Sequence, residues 1–166
     1  NTNGKILQIT STGGQRDFTV GNFFMYGGKV AISYNTEDAG EQRSLTVNNT
    51  FYVTDSLYSA DFQLINQPAS QNVTGRLFVK GNVDMHKTAT AAYLSNISSS
   101  SKGEIQFIGN AAQYAKFDKT LGKVDFVINN ASGVQLQTNV TTHRLKLVQG
   151  NFHINANTLT VAGALS

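Results

Sequence analysis

Five aspartates, Asp55, Asp61, Asp84, Asp118 and Asp125, stand in or beside apolar runs of this 166-residue chain. Two carboxyl groups held about 5–10 Å apart can cleave a glycosidic bond. In a chain of stacked repeats, acids from neighbouring repeats come that close only at equivalent register. Asp55 and Asp61 stand six and twelve residues after Asn49, Asp84 two after Asn82, and Asp118 and Asp125 eight and fifteen after Asn110. No two of these share an offset, so the count predicts scattered surface charges and no catalytic residue. His86, His143 and His153 form no HxH or HExxH pattern, and no metal ligand is assigned. Asp38, with Glu37 and Glu41, is the one dense acidic patch. A solvated loop explains it more simply than a calcium site. No cofactor is expected.

Aromatic residues with a polar tip are the stronger candidates. There are six Tyr and no Trp. Exposed Tyr stacks on sugar rings and anchors interfaces. Tyr52, Tyr58, Tyr93 and Tyr114, expected on loops, are the candidate glycan or partner contacts. The competing reading places them at repeat edges or in the core. Five Asn-x-Ser/Thr sequons occur, at Asn48, Asn72, Asn96, Asn130 and Asn139; they matter only in a host with that glycosylation pathway.

The elements that must position these side chains are marked by a recurring phrase. An apolar residue is followed by Gly or Asn and then Asn, with one residue inserted in two copies. The copies end at Asn22, Asn49, Asn82, Asn110, Asn130 and Asn151, which are 27, 33, 28, 20 and 21 residues apart. Each follows a strand-like run and leads into another. Gly and Asn enter left-handed backbone cheaply, so a sharp corner is expected at each phrase, with the six Asn amides stacked as a ladder. On that reading Asn110→Val costs about 1–2 kcal/mol.

Period-2 alternation is present in Lys5–Ile9, Arg76–Val79, Glu104–Ile108, Lys123–Ile128 and Arg144–Val148, and again in Phe152–Ile154 and Leu159–Val161. These runs predict strands. No sustained 3.6-residue period predicts a helix. A strand, a corner and another strand at intervals of roughly 20–35 residues point to a solenoid. The expected fold is all-β, a right-handed parallel β-helix of about six to seven coils. An antiparallel β-sandwich joined by hairpins is the alternative. Residues 1–44 fit the repeat less well and read as an irregular first coil or the end of a preceding module; residues 45–166 read as β-helix coils.

Composition narrows the function classes. Apolar residues make up 40% and charged residues 14%, with a net charge of +3. Solubility must then come from Ser, Thr, Asn and Gln, as suits a secreted or cell-surface β protein. The thirteen Lys and Arg are dispersed, so no nucleic-acid partner is expected. The absence of cysteine excludes a disulfide framework. No apolar run reaches the ~20 residues of a membrane span, so no membrane span is expected. The chain opens on Asn1 and stops at Ser166 in mid-pattern, which reads as a segment of a longer, exported protein or as a unit whose open ends meet other copies.

The second half resembles a known family style. The residues that carry it are Gly103, Ile105, Phe107, Gly109 and Gln113, then Val127-Ile128-Asn129-Asn130, Gly133-Val134, Leu145, Leu147, Gly150 and Asn157 to Gly163. They are similar to the repetitive β-helical segments of large bacterial surface proteins exported by type IX secretion, including gliding-motility adhesins. The likeness is close over about 65 residues, looser over Ser44 to Thr90 and weak before Gln42. It implies a non-catalytic stalk or adhesive module at the bacterial cell surface or outside the cell. The implied partners are other segments of the same long chain or identical copies, surface glycans and the secretion machinery. Asp55-Ser56-Leu57 resembles the O-glycan acceptor of related bacteria, which makes Ser56 a candidate acceptor. Two other functions are kept: a filament subunit stacking end to end, and a carbohydrate-active solenoid enzyme.

Overall fold

A computed structural model of the chain describes residues 6–9, 17–34, 42–54, 60–66, 74–86, 93–96, 102–118, 121 and 124–163. The chain makes successive passes through separate sheets. The first pass is β1 (Ile6–Gln8), β2 (Asp17–Val20) and β3 (Phe23–Met25). The second is β4 (Gly28–Tyr34), β5 (Gln42–Val47) and β6 (Phe51–Thr54). The third is β7 (Ala60–Asn66), β8 (Thr74–Val79) and β9 (Val83–His86), and the fourth β10 (Tyr93–Asn96), β11 (Lys102–Phe107) and β12 (Gln113–Phe117). The fifth has β13 (Val124–Asn129), β14 (Val134–Leu136) and β15 (Val140–Thr142); the sixth has β16 (Arg144–Gln149), β17 (Phe152–His153) and β18 (Leu159–Val161). No helix occurs among the described residues.

Sheet I holds β1, β4, β7 and β10. Sheet II holds β2, β5, β8, β11, β13 and β16. Sheet III holds β3, β6, β9, β12, β14 and β17, and sheet IV holds β15 and β18. Every pairing among the described residues is parallel. The all-β class is as expected, and the antiparallel hairpins of a sandwich do not occur among these residues. Strands β1 to β4, from the segment before residue 45, pair into the same sheets as the later strands.

Alternation explains the strands. In β8 and β13 every second side chain is buried, as a pleated ribbon with one face on the core requires. Parallel register then lines equivalent residues up in columns. Leu45, Leu77, Ile105 and Phe126 form one such column and Val47, Val79, Phe107 and Ile128 the next, and all are buried. Sheet III adds Phe51, Val83, Ala115 and Leu136. Sheet I is buried on both faces: Val30, Ile32, Phe62 and Leu64 on one, Ala31, Ser33, Gln63 and Ile65 on the other. One buried face is apolar and the other carries the small or polar Ala31, Ser33 and Gln63 beside Ile65.

Side chains of the sheets meet in one core. Phe51 stacks on Phe23 at 5.3 Å and meets the edge of Phe62 at 4.9 Å. Phe126 touches Phe107, Phe117 and Phe152 at 5.8, 5.3 and 6.4 Å. Each such fully buried ring stabilises the fold by roughly 1.5–3 kcal/mol over an exposed one. The columns thin out at β16, where Leu147, in register with Ile128, is 52% exposed.

Pass length varies while register holds across sheet II up to the shift between Ile128 and Asn129. Ser44, Arg76, Glu104, Asp125 and Arg144 are in register across sheet II, yet they are 32, 28, 21 and 19 residues apart in the chain.

The corners differ from the expected ladder. None of the six phrase asparagines has a positive φ; among the described residues Asn155 is the single non-glycine that does, and Gly150 (φ 78°) takes the left-handed position before Asn151. Nor do the six share a register. Phe23, Phe51, Val83 and Ala115 are aligned, so the residues preceding them are Asn22, Thr50, Asn82 and Tyr114. Corners of unequal length carry the asparagines out of line. Asn22 Oδ1 accepts from Thr50 N–H (3.2 Å) and Asn82 Oδ1 from Tyr114 N–H (2.9 Å). These side chains bond to the backbone of the next pass, not to each other.

Candidate binding face

The outer face of sheet III carries the exposed aromatic residues expected of a binding surface. Phe23 and Met25 point into the core and Phe24 points out, as alternation along β3 demands. Phe24 is 55% exposed, Tyr26 just beyond the strand is 50% exposed, and Tyr52 is half-buried. Tyr52 lies beside Phe24 in register. Its ring centroid is 6.3 Å from that of Phe24 and 5.8 Å from that of Tyr26, with interplanar angles of 54° and 52°. The three rings form an inclined cluster across two passes.

Polar residues follow on the same row. Asp84 is in register with Tyr52, and Lys116 with Asp84. Lys116 Nζ lies 3.6 Å from Asp84 Oδ1, so the charges offset each other. Tyr114 stands on the neighbouring row, in register with Gln135 and His153, apart from the cluster. Of the four tyrosines expected on loops, then, Tyr52, Tyr93 and Tyr114 lie in strands instead, and Tyr52 belongs to the cluster while Tyr114 does not. Tyr93 opens β10 with its side chain outside the described residues, and Tyr58, Ser56 and the acidic stretch around Asp38 also lie outside them. Phe24 and Tyr26 were not selected; the signal was the Phe23-Phe24 doublet, because one of two adjacent strand residues must face outward.

The acids need a correction. Counting from corner asparagines missed Glu104, which strand pairing places beside Asp125. The count failed because corner length varies while strand register does not. Neither carboxylate stands open. Arg76 Nε donates to Glu104 Oε2 at 2.8 Å and Gln106 Nε2 at 3.0 Å, and His143 Nδ1 lies 2.9 Å from Asp125 Oδ1. Glu104 and Asp125 belong to an outer ladder with Ser44, Arg76 and Arg144. No group of three His, Cys, Asp or Glu able to hold a metal occurs among the described residues.

The sequons divide. Asn130 is buried and its Nδ2 donates to Ala111 O and Gln113 Oε1, both at 2.8 Å, so that amide cannot accept a glycan. Asn48 and Asn139 are exposed; Asn72 and the side chain of Asn96 lie outside the described residues. A concavity of about 480 Å³ is lined by Asp118, Thr138, Asn139, Thr141, Thr158 and Thr160 together with Phe117 and Val140.

Among the described residues, no helix is long and apolar enough to cross a membrane. No protein-family model matches the chain, no curated protein matches it, and no solved structure matches it.

Proposed function

We propose that the chain is a right-handed parallel β-helix, a stiff module of a secreted or surface-bound bacterial protein that bears load or contacts surfaces without catalysing a reaction. One observation carries this reading. In the first four passes strands enter sheets I, II and III in that order, in the last two they enter II, III and IV, and within each sheet the strands of successive passes pair in parallel. A chain that winds in this way builds its core by stacking neighbours, and each pass depends on the two beside it. The engagement of Glu104 by Arg76 and of Asp125 by His143 supports a structural role for the outer charges. The type IX secretion and adhesin reading rests on the motif resemblance in the second half.

Spin-label distances test the winding in a chain that has no native cysteine. Lys146, Val127, Gln106, Phe78, Thr46 and Thr19 are in register on the outer face of sheet II. Labels at Lys146 paired with Gln106, Thr46 and Thr19 should be about 10, 19 and 24 Å apart, rising by ~4.8 Å per pass. A curled or closed sheet gives distances that level off. Protease shaving of intact cells tests the surface location, because an exported module is cut and an internal one is protected.

A second reading is favoured by one feature of the last pass. Leu147, Val148 and Ile154 are exposed on β16 and just beyond β17, as at a surface that takes a further pass from an identical copy. Sedimentation velocity over a range of concentrations separates the two. Association abolished by Leu147→Lys supports end-to-end stacking, and a concentration-independent monomer removes it.

A further inference from the structure

We propose that Phe24, Tyr26 and Tyr52 form a stacking site for a neutral polysaccharide, an assignment that rests on the adhesive-module reading above. Scattered exposed apolar residues are ordinary, but a contiguous cluster is not. Here two rings that are half or more exposed flank a third within 6.3 Å.

The surroundings select the ligand chemistry. A sugar ring offers an apolar C–H face to an aromatic ring and hydroxyls at its edge to polar groups. The cluster supplies rings, two of them with hydroxyl tips. Its register neighbour on the next strand supplies a carboxylate at Asp84. Lys116 offsets the charge of Asp84, so the face does not select for an anionic polymer. Phe24 and Tyr52 sit on successive parallel strands, about 4.8 Å apart, and a polymer laid across the strands meets both rings. The inclination of 52–54° between neighbouring rings suits a curved or twisted chain better than a flat one.

A protein partner fits less well. A stable protein interface covers about 800 Å² on each side around a closely packed apolar centre. Among the described residues the other exposed large apolar side chains are Tyr114, which stands on a different row, and Leu147, Val148 and Ile154 in the last pass. Among the described residues the cluster therefore has no apolar surround of that size.

The test is affinity electrophoresis of the whole chain in gels containing dextran, xylan or alginate, followed by calorimetry with the polymer that retards it. A neutral polymer should retard the protein. Phe24→Ala and Tyr52→Ala should weaken binding at least tenfold, Tyr52→Phe should retain most of it, and Lys146→Ala, on the outer face of sheet II, should leave it unchanged. Equal retardation of the ring variants, retardation by alginate alone, or no retardation by any of the three overturns the proposal. So does self-association lost in Tyr52→Ala without polysaccharide binding. The spin-label series on the same protein keeps the two readings apart: distances that rise with each pass alongside failed binding refute the site and leave the winding intact.

Discussion

Asn130 Nδ2 donates to Gln113 Oε1 at 2.8 Å, joining two buried carboxamides from successive passes. The bond is the centre of a network. Gln113 Oε1 also accepts from Gly109 N–H at 3.0 Å, and Gln113 Nε2 donates to Val79 O at 3.1 Å and to Gly81 O. Asn130 Oδ1 accepts from Ser132 N–H at 2.9 Å and its Nδ2 donates to Ala111 O. Three passes are thereby tied at one corner, where irregular backbone would otherwise be buried with unsatisfied polar groups.

Gln113→Leu should therefore destabilise the fold by about 1–3 kcal/mol, because it leaves buried donors and acceptors without partners. Asn110→Ala should stay within about 0.5 kcal/mol, since Asn110 is exposed and has no positive φ. Urea midpoints of the two variants check this, and the same argument replaces the larger penalty expected from a ladder at Asn110.

Gly150 and Gly21 should respond oppositely to alanine. A Cβ at Gly150 would lie 1.8 Å from Asn130 O, at a φ of 78°. Gly150→Ala should cost at least about 2 kcal/mol. At Gly21 the nearest atom is Asn49 Nδ2 at 3.8 Å, so Gly21→Ala should be tolerated. Thermal unfolding followed by circular dichroism compares them.

Phe126→Ala should be among the most damaging single changes. The ring is fully buried and touches three other phenylalanines, and such truncations cost about 3–5 kcal/mol. Phe24→Ala, on the solvent side of β3, should leave the denaturation midpoint almost unchanged.

Glu104→Gln should change stability by no more than about 1 kcal/mol, and the difference should shrink in high salt. Its partner Arg76 is in contact with solvent, so the ion pair contributes little. A loss well above that, insensitive to salt, would assign Glu104 a different role.

Strands with clean alternation were legible in the sequence because alternation is a local property, while strands such as β4, β7 and β12 were not named from it. Runs such as Arg76–Val79 and Leu159–Val161 coincide with strands of sheets II and IV. The corners were not legible in the same way. Their Asn residues share a sequence phrase, but insertions of different length place Asn22 and Asn82 level with Thr50 and Tyr114, which are not the phrase asparagines of their own passes. The partnership of Gln113 with Asn130 spans 17 positions, and no local pattern announces it. The aromatic cluster was half legible: tyrosine content pointed to Tyr52, while the adjacency of Phe24 depends on pairing between β3 and β6.

The shrinking interval between in-register residues, from 32 to 19 along sheet II, bears on how such a chain evolves. Alignment is stored in the strands, and the stretches between them vary in length. On the proposed winding, unequal recombination that adds or deletes one whole pass alters reach while neighbouring passes still stack, and drift in interval length changes chiefly what the outside presents. Length and surface chemistry become separately heritable, and a lineage can tune one while selection holds the other constant.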